Sequence, residues 1–260
     1  MKLRRPKKLF PPAVTAVMFA AAMILLIFGS VEGTRAALTY YSETYASRVQ
    51  MYDIGVSLQE NGERVSWRDY NSSANGSWNE NTGVLLSHML DDGEPLKLGK
   101  TYQEELNVAN SGTINQYVRV TIYKYWTDGD GTKLQNLSPE LIDLHLVNLD
   151  TDWLLDEAAS TPERTVLYYN KLLYAEGEGA SETPLFADTL TIDDMVATKV
   201  HQKVEETGGY TTITTTYDYD GMQFRIEAKV DAVQEHNAED AILSAWGKNV
   251  TVSNGMLSLN

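Results

Sequence analysis

The side chains best suited to metal ligation or proton transfer near neutral pH are four histidines, His88, His145, His201 and His236, and no two stand at a local ligand spacing. There is no H-E-x-x-H, so a zinc protease of the helix-borne kind is not expected. His236, in Gln234-Glu235-His236-Asn237, reads as a structural residue beside a helix cap. Cysteine is absent, which removes thiol nucleophiles, Cys-ligated metals and disulfide staples together. Asp128-Gly129-Asp130-Gly131 has the opening of a calcium loop, yet Lys133 and Pro139 stand where that loop needs its glycine and its terminal glutamate. A tight turn is the better account. No G-x-S-x-G elbow, Walker loop or dinucleotide fingerprint occurs, and carboxylates are so numerous that no pair is singled out for acid–base work. The expectation is no catalytic residue, no metal and no cofactor.

What remains for function is binding and assembly. The chain has 15 Tyr and 5 Trp in 260 residues, a bias toward strands and adhesive surfaces. Trp67 and Trp78 flank a polar stretch and offer an aromatic platform for a glycan or a protein, or else caps on the core.

The elements that would carry these residues read as strands. Ile54, Val56 and Leu58 alternate with Gly55 and Ser57 as a half-buried first strand. After the turn at Asn61-Gly62, residues 66–83 are rich in Asn, Ser and Gly and read as a surface loop entered through a short edge strand, 64–67. A longer strand spans 116–126, with Val118, Val120 and Ile122 on one face, and is expected to be central, with Trp126 closing the core. Ser138-Pro139-Glu140 predicts a short helix reaching about Val147. Strands are expected over 165–174 and 184–191, and a helical turn over 192–199. Residues 211–218 and 223–230 read as a hairpin about Asp220-Gly221, with Phe224, Ile226, Ala228 and Val230 facing inward. Asn237 opens a helix that Gly247 ends, and 250–259 form a last hairpin at Asn254-Gly255. Strands separated by loops, without a fixed repeat, predict an all-β fold: an antiparallel jelly-roll-type β-sandwich with short helices in the connecting loops.

Upstream of that fold the chain is an address. Lys2, Arg4, Arg5, Lys7 and Lys8 precede an apolar run of 16 residues, 13–28, and the small-residue junction Gly33-Thr34-Arg35-Ala36-Ala37. That is the grammar of a secretory signal peptide, and the run falls short of the ~20 residues of a bilayer-spanning helix. The expected cut lies between Ala36 and Ala37, with the bond after Ala37 as the near alternative. A retained anchor would be the sole contact with a membrane. The organisation is therefore a signal peptide (1–36), an N-terminal arm (37–48) and a single sandwich domain (49–260).

Cleavage would leave 15 basic against 35 acidic residues, net −20 over 224 residues. So acidic a surface is repelled by nucleic acid and by anionic membranes, and neither is expected as a partner.

Three stretches resemble the TasA/camelysin family of exported Gram-positive surface and biofilm-matrix proteins. The junction Gly33-Thr34-Arg35-Ala36-Ala37-Leu38 is similar to the family's processing site, with Arg35 where an aromatic is common. Leu96-Lys97-Leu98-Gly99-Lys100 and the stretch 105–120 resemble its L-x-P-G-D, strand, Asn-x-Gly, strand pattern, with Leu98 for the proline and Lys100 for the aspartate. Gln223-Phe224-Arg225-Ile226-Glu227-Ala228 is similar to its late core strand. The resemblance implies a secreted protein of the extracellular matrix or cell surface that polymerises with itself, each subunit lending its N-terminal strand to the next, with accessory matrix or anchoring proteins as further partners. It places the donor in 37–48, anchored by Leu38, Tyr40, Tyr41 and Tyr45. Camelysin-like members also carry a metallopeptidase label, which gives the enzymatic alternative; a monomeric surface glycan- or protein-binding module is the other.

Overall fold

The computed structural model describes residues 53–71, 76–87, 89, 90, 94–207 and 210–260, together with Val14 and Val17. The chain divides into two units, Met1–Gln50 and Met51–Asn260, and the fold here is that of the second. The expected signal peptide and arm lie outside the described residues, Val14 and Val17 apart. Among the described residues no helix is long and apolar enough to cross a membrane.

Turn chemistry sets the first hairpin. Strands β1 (Gly55–Glu60) and β2 (Glu63–Asn71) meet at Asn61-Gly62, whose positive φ angles of 50° and 81° suit a two-residue antiparallel connection. β1 is not half-buried as its alternation suggested. It lies between β2 and β4 (Thr101–Asn110), and its small Gly55 and Ser57 are buried along with Val56 and Leu58. The polar stretch expected as a loop is itself a hairpin: β2 runs on to Asn71 and pairs with β3 (Ser77–Asn81), every residue of which is exposed. Cross-strand pairs replace burial there. Tyr70 meets Trp78 edge-on at 5.2 Å, and Arg68 pairs with Glu80 at 3.2 Å.

β5 (Gln116–Thr127) is the long central strand, and β6 (Lys133–Leu134) returns against its end. Trp126 is buried at that end, its indole N–H donating to the Ser138 carbonyl at 2.8 Å. Ser138 caps as expected, yet the helix stops after one 3₁₀ turn, Pro139–Leu141, and the chain enters β7 (Ile142–Leu146). The reason is period: Ile142 and Leu144 are buried while Asp143 and His145 are exposed, an alternation that a strand satisfies and a helix cannot. β8 (Trp153–Leu155), β9 (Arg164–Tyr169) and β10 (Ala187–Ile192) follow, then a second 3₁₀ turn, Asp194–Ala197, within the helical turn expected there.

The expected hairpin of residues 211–218 with 223–230 does not form. β11 (Val200–Thr207) pairs with β12 (Tyr210–Tyr217) as a separate two-stranded ribbon, and β13 (Gln223–Gln234) lies against β5 over all 12 residues of each. A two-stranded ribbon offers no core for Phe224, Ile226, Ala228 and Val230, whereas β5 carries them onto one. The helix α1 (Ala238–Trp246) ends at Gly247 in the left-handed region, and β14 (Val250–Ser253) and β15 (Met256–Leu259) turn at Asn254-Gly255. Asn237 occupies the cap position, but in left-handed conformation and without a side-chain capping bond.

Eleven of the described strands assemble into two antiparallel sheets, β3-β2-β1-β4-β10-β7 and β13-β5-β9-β8 with β6 added to β5, beside the two-stranded β11-β12 and β14-β15. From β4 onward the chain crosses from sheet to sheet repeatedly, and the main core lies between them, with Leu106, Val108, Leu144 and Leu190 from one and Val120, Ile122, Leu167 and Ile226 from the other. The molecule is an all-β sandwich. A second core on the outer face of the β5 sheet joins Tyr117, Val166 and Tyr168 to Ile242 of α1 and to Val250 and Leu257 of the last hairpin.

Trp153 is fully buried, packs on Tyr169 and Phe186, and donates its indole N–H to the Pro184 carbonyl at 3.1 Å. Trp153→Ala is expected to cost about 3–5 kcal/mol of unfolding free energy in denaturant titration, with little change in slope.

Candidate functional site

β13 brings together the residues of the principal cavity. Its odd-numbered positions Gln223, Arg225, Glu227 and Lys229 are exposed, while Phe224, Ile226, Ala228 and Val230 pack on the main core. One edge of β13 is bonded to β5; on the other, no strand pairs with it among the described residues. Alongside it runs a groove of about 1000 Å³. Its apolar lining comes from Val56, Leu58, Val65, Leu86 and Met89 together with the inner side chains of β13.

The wall opposite β13 is formed after β3 by residues 82–86, 89 and 90. Two positions hold it close to the sheet. A Cβ on Gly83 would fall 1.8 Å from the Val65 carbonyl oxygen, so only glycine permits this approach. Leu86 sits at φ 66°, a left-handed conformation rare for leucine, and its N–H donates to Glu60 Oε1 at 2.6 Å.

Glu60 has a second acid for a neighbour. Glu104, on β4, points inward between Tyr102 and Leu106, and is 1% exposed against 4% for Glu60. As a carboxylate it has no hydrogen-bond donor for either oxygen. Burial, then the hydrogen bond and charge of Glu60, push its carboxyl up to about 9, so at neutral pH it is an acid whose O–H faces Glu60. At the far end of the groove Arg119 bonds Asp231 at 2.6 Å across the β5–β13 ladder, and Lys229 approaches it at 2.9 Å. Burial pushes the Asp231 carboxyl up, but the hydrogen bonds from Arg119 and Lys229 outweigh it and hold the group below the usual carboxylate range.

Of the residues expected to matter, Ala36, Ala37, Leu38, Tyr40, Tyr41 and Tyr45 lie outside the described residues, as does His88. Trp67 lines the groove, half-buried on β2, with the Arg64 guanidinium 4.6 Å from its ring centre. Trp78 is 47% exposed on β3, under Arg68 at 4.5 Å. The remaining histidines are dispersed: His145 on β7 pairs with Asp188 at 2.7 Å, His201 on β11 pairs with Asp218, and His236 is exposed before α1. Among the described residues no three His, Asp or Glu side chains form a group that could hold a metal. Asp128 spends its carboxylate on the turn that was expected, accepting from the backbone N–H groups of Asp130 at 3.0 Å and Thr132 at 2.8 Å.

Sequence reasoning passed over Glu60 and Glu104. A signal was present: each occupies an inward position of an alternating apolar strand, after Leu58 and between Tyr102 and Leu106, where a carboxylate is costly. No family model, curated protein or solved structure matches this chain.

Asp231→Asn should lower stability near pH 7 by about 1–2 kcal/mol, since it leaves Arg119 without its charged acceptor. A carboxyl whose value is depressed on folding adds stability that is present above the ordinary Asp value of 3.8 and is lost as pH falls through the folded value. The variant should therefore show a flatter acid limb than the parent in pH-dependent thermal melts.

Proposed function

We propose that this chain is a secreted structural subunit, of the TasA/camelysin kind, that builds extracellular or biofilm-matrix fibres by adding its N-terminal arm as a strand beside β13 of the next copy. The observation that carries this reading is the apolar groove of about 1000 Å³ along a β13 edge that no described strand covers. An exposed sheet edge presents unpaired N–H and C=O groups, and an extended segment satisfies them while its alternate side chains enter the groove. Length agrees: the arm 37–48 has 12 residues, as does β13, and at ~3.3 Å each they extend about 40 Å. Leu38, Tyr40, Tyr41 and Tyr45 are its anchors. The repeated crossing of the chain between its sheets supports a jelly-roll type of sandwich as the host of that strand.

Charge sets the conditions. Copies carrying net −20 after removal of residues 1–36 repel one another at long range, and salt or acid weakens that repulsion. The described residues offer the camelysin-like peptidase reading no ligand cluster, and the fibre reading is the one that the groove supports. A surface module working through exposed Trp78 and its Arg68 remains the second reading, and it would bind glycan or protein without polymerising.

Negative-stain electron microscopy of residues 37–260 beside 49–260, at neutral and mildly acidic pH, tests the proposal. Filaments are expected from the longer protein alone. Filaments from both, or from neither under any condition, would overturn assembly through the arm.

A further inference from the structure

We propose that Glu60 and Glu104 form a latch that shares one proton and holds the wall of Leu86 and its described neighbours over the groove, and that loss of this proton loosens the wall and widens the groove. The inference rests on reading the groove as the acceptor of a strand, because it names what regulates access to that site.

Position comes first. In the β1–β4 ladder Glu60 stands opposite Leu106, so Glu104 is its diagonal neighbour two residues along, on the same inward face. Both are almost fully removed from water. Two carboxylates side by side without solvent repel each other, and among the described residues no basic side chain relieves Glu104, which is acted on by its burial and by Glu60. A single retained proton resolves the conflict. The Glu104 O–H donates to the Glu60 carboxylate, which accepts the Leu86 N–H at 2.6 Å. One hydrogen-bonded relay then joins β4, β1 and the wall.

The wall is the part that gives when the relay is charged. Its backbone bond to Glu60 fixes a leucine at φ 66°, a conformation that local sterics disfavour and the surroundings must impose. With both acids ionised, Glu60 is driven from Glu104, and the acceptor that holds Leu86 moves with it. Leu86 and Met89 line the groove, so their displacement changes its width.

Other charged groups on the surrounding elements are Glu63 across from Glu60 on β2, Glu105 on β4, and Asp188 of β10 with its partner His145 of β7. Across the groove β13 presents Arg225, Glu227 and Lys229, which are exposed. His88 lies outside the described residues. An ordinary histidine loses its proton near pH 6.5, well below the value of about 9 to which the Glu104 carboxyl is raised.

Linkage gives the sign. A carboxyl raised on folding contributes stability that is full below the ordinary Glu value of 4.5 and is lost progressively as pH rises toward about 9. Glu104→Gln keeps an N–H donor toward Glu60 and cannot ionise.

The test is amide hydrogen exchange by mass spectrometry on the unassembled full chain, comparing parent and Glu104→Gln at the same pH so that intrinsic exchange cancels. At about pH 6 the peptides covering 82–90 should exchange alike; at about pH 10 the parent should exchange several-fold faster there, with β9 unchanged in both. Should Glu104→Gln not fold, Glu60→Gln replaces it: the carboxamide oxygen still accepts from Leu86, its N–H₂ faces Glu104, and the same outcome is expected. Equal exchange in parent and variant at about pH 10, or abolition of the difference by His88→Gln instead, overturns the latch. Filament formation is scored separately, so loss of arm-dependent filaments with the exchange difference intact defeats the fibre reading and leaves the latch standing.

Discussion

Strand β5 is the member on which both halves of the structure depend. It bonds to β13 along its whole length on one side, and on the other to β9 over Arg119–Tyr123 and to β6 at Trp126 and Thr127. Its Val118, Val120 and Ile122 belong to the core between the sheets, and its Tyr117 belongs to the core under α1. One strand thus joins the main core to the smaller cluster under α1. In a chain without cysteine no disulfide supplements them, so burial on both faces of this sheet carries the stability.

The same arrangement leaves β13 with one edge committed and one open among the described residues. An open edge is a liability in a protein, because it invites any strand to pair. Here the edge lies beside a groove whose lining is apolar and whose rim is charged, and residues 82–86, 89 and 90 form its opposite side. Such a geometry restricts access instead of abolishing the edge. The other exposed ribbons are dressed differently: β3 exposes Asn79, Glu80 and Asn81 beside Trp78, and β11–β12 exposes Thr214, Thr215 and Thr216 beside Val200, Val204 and Tyr217.

Electrostatics acts at two ranges. The acidic surface sets a long-range repulsion between copies that salt screens within about 10 Å. Glu60 and Glu104 act at contact range, where burial forbids a second charge and makes a proton part of the fold. Arg119 and Asp231 solve the opposite problem: a half-buried cation on β5 is matched by an anion on its pairing strand, and Asp231 stands at the end of the same groove.

The sequence alone determined what local rules govern. Asn61-Gly62 and Asn254-Gly255 fix their turns through left-handed φ, Gly247 stops α1, and the alternation of 223–230 tells which side chains of β13 face inward. The all-β class follows from these. Only the tertiary structure decided partners. Residues 223–230 pair with β5, about a hundred residues upstream, and not with the neighbouring Thr-rich segment, because only β5 offers a core for them. Ser138 and Pro139 begin a helix correctly, and the period of Ile142 and Leu144 ends it after one turn, since β10 is waiting to pair. The groove was illegible for the same reason: Val56, Leu86 and Ile226 line one groove only once two sheets have stacked, and the cost of placing Glu60 beside Glu104 exists only where water has been excluded.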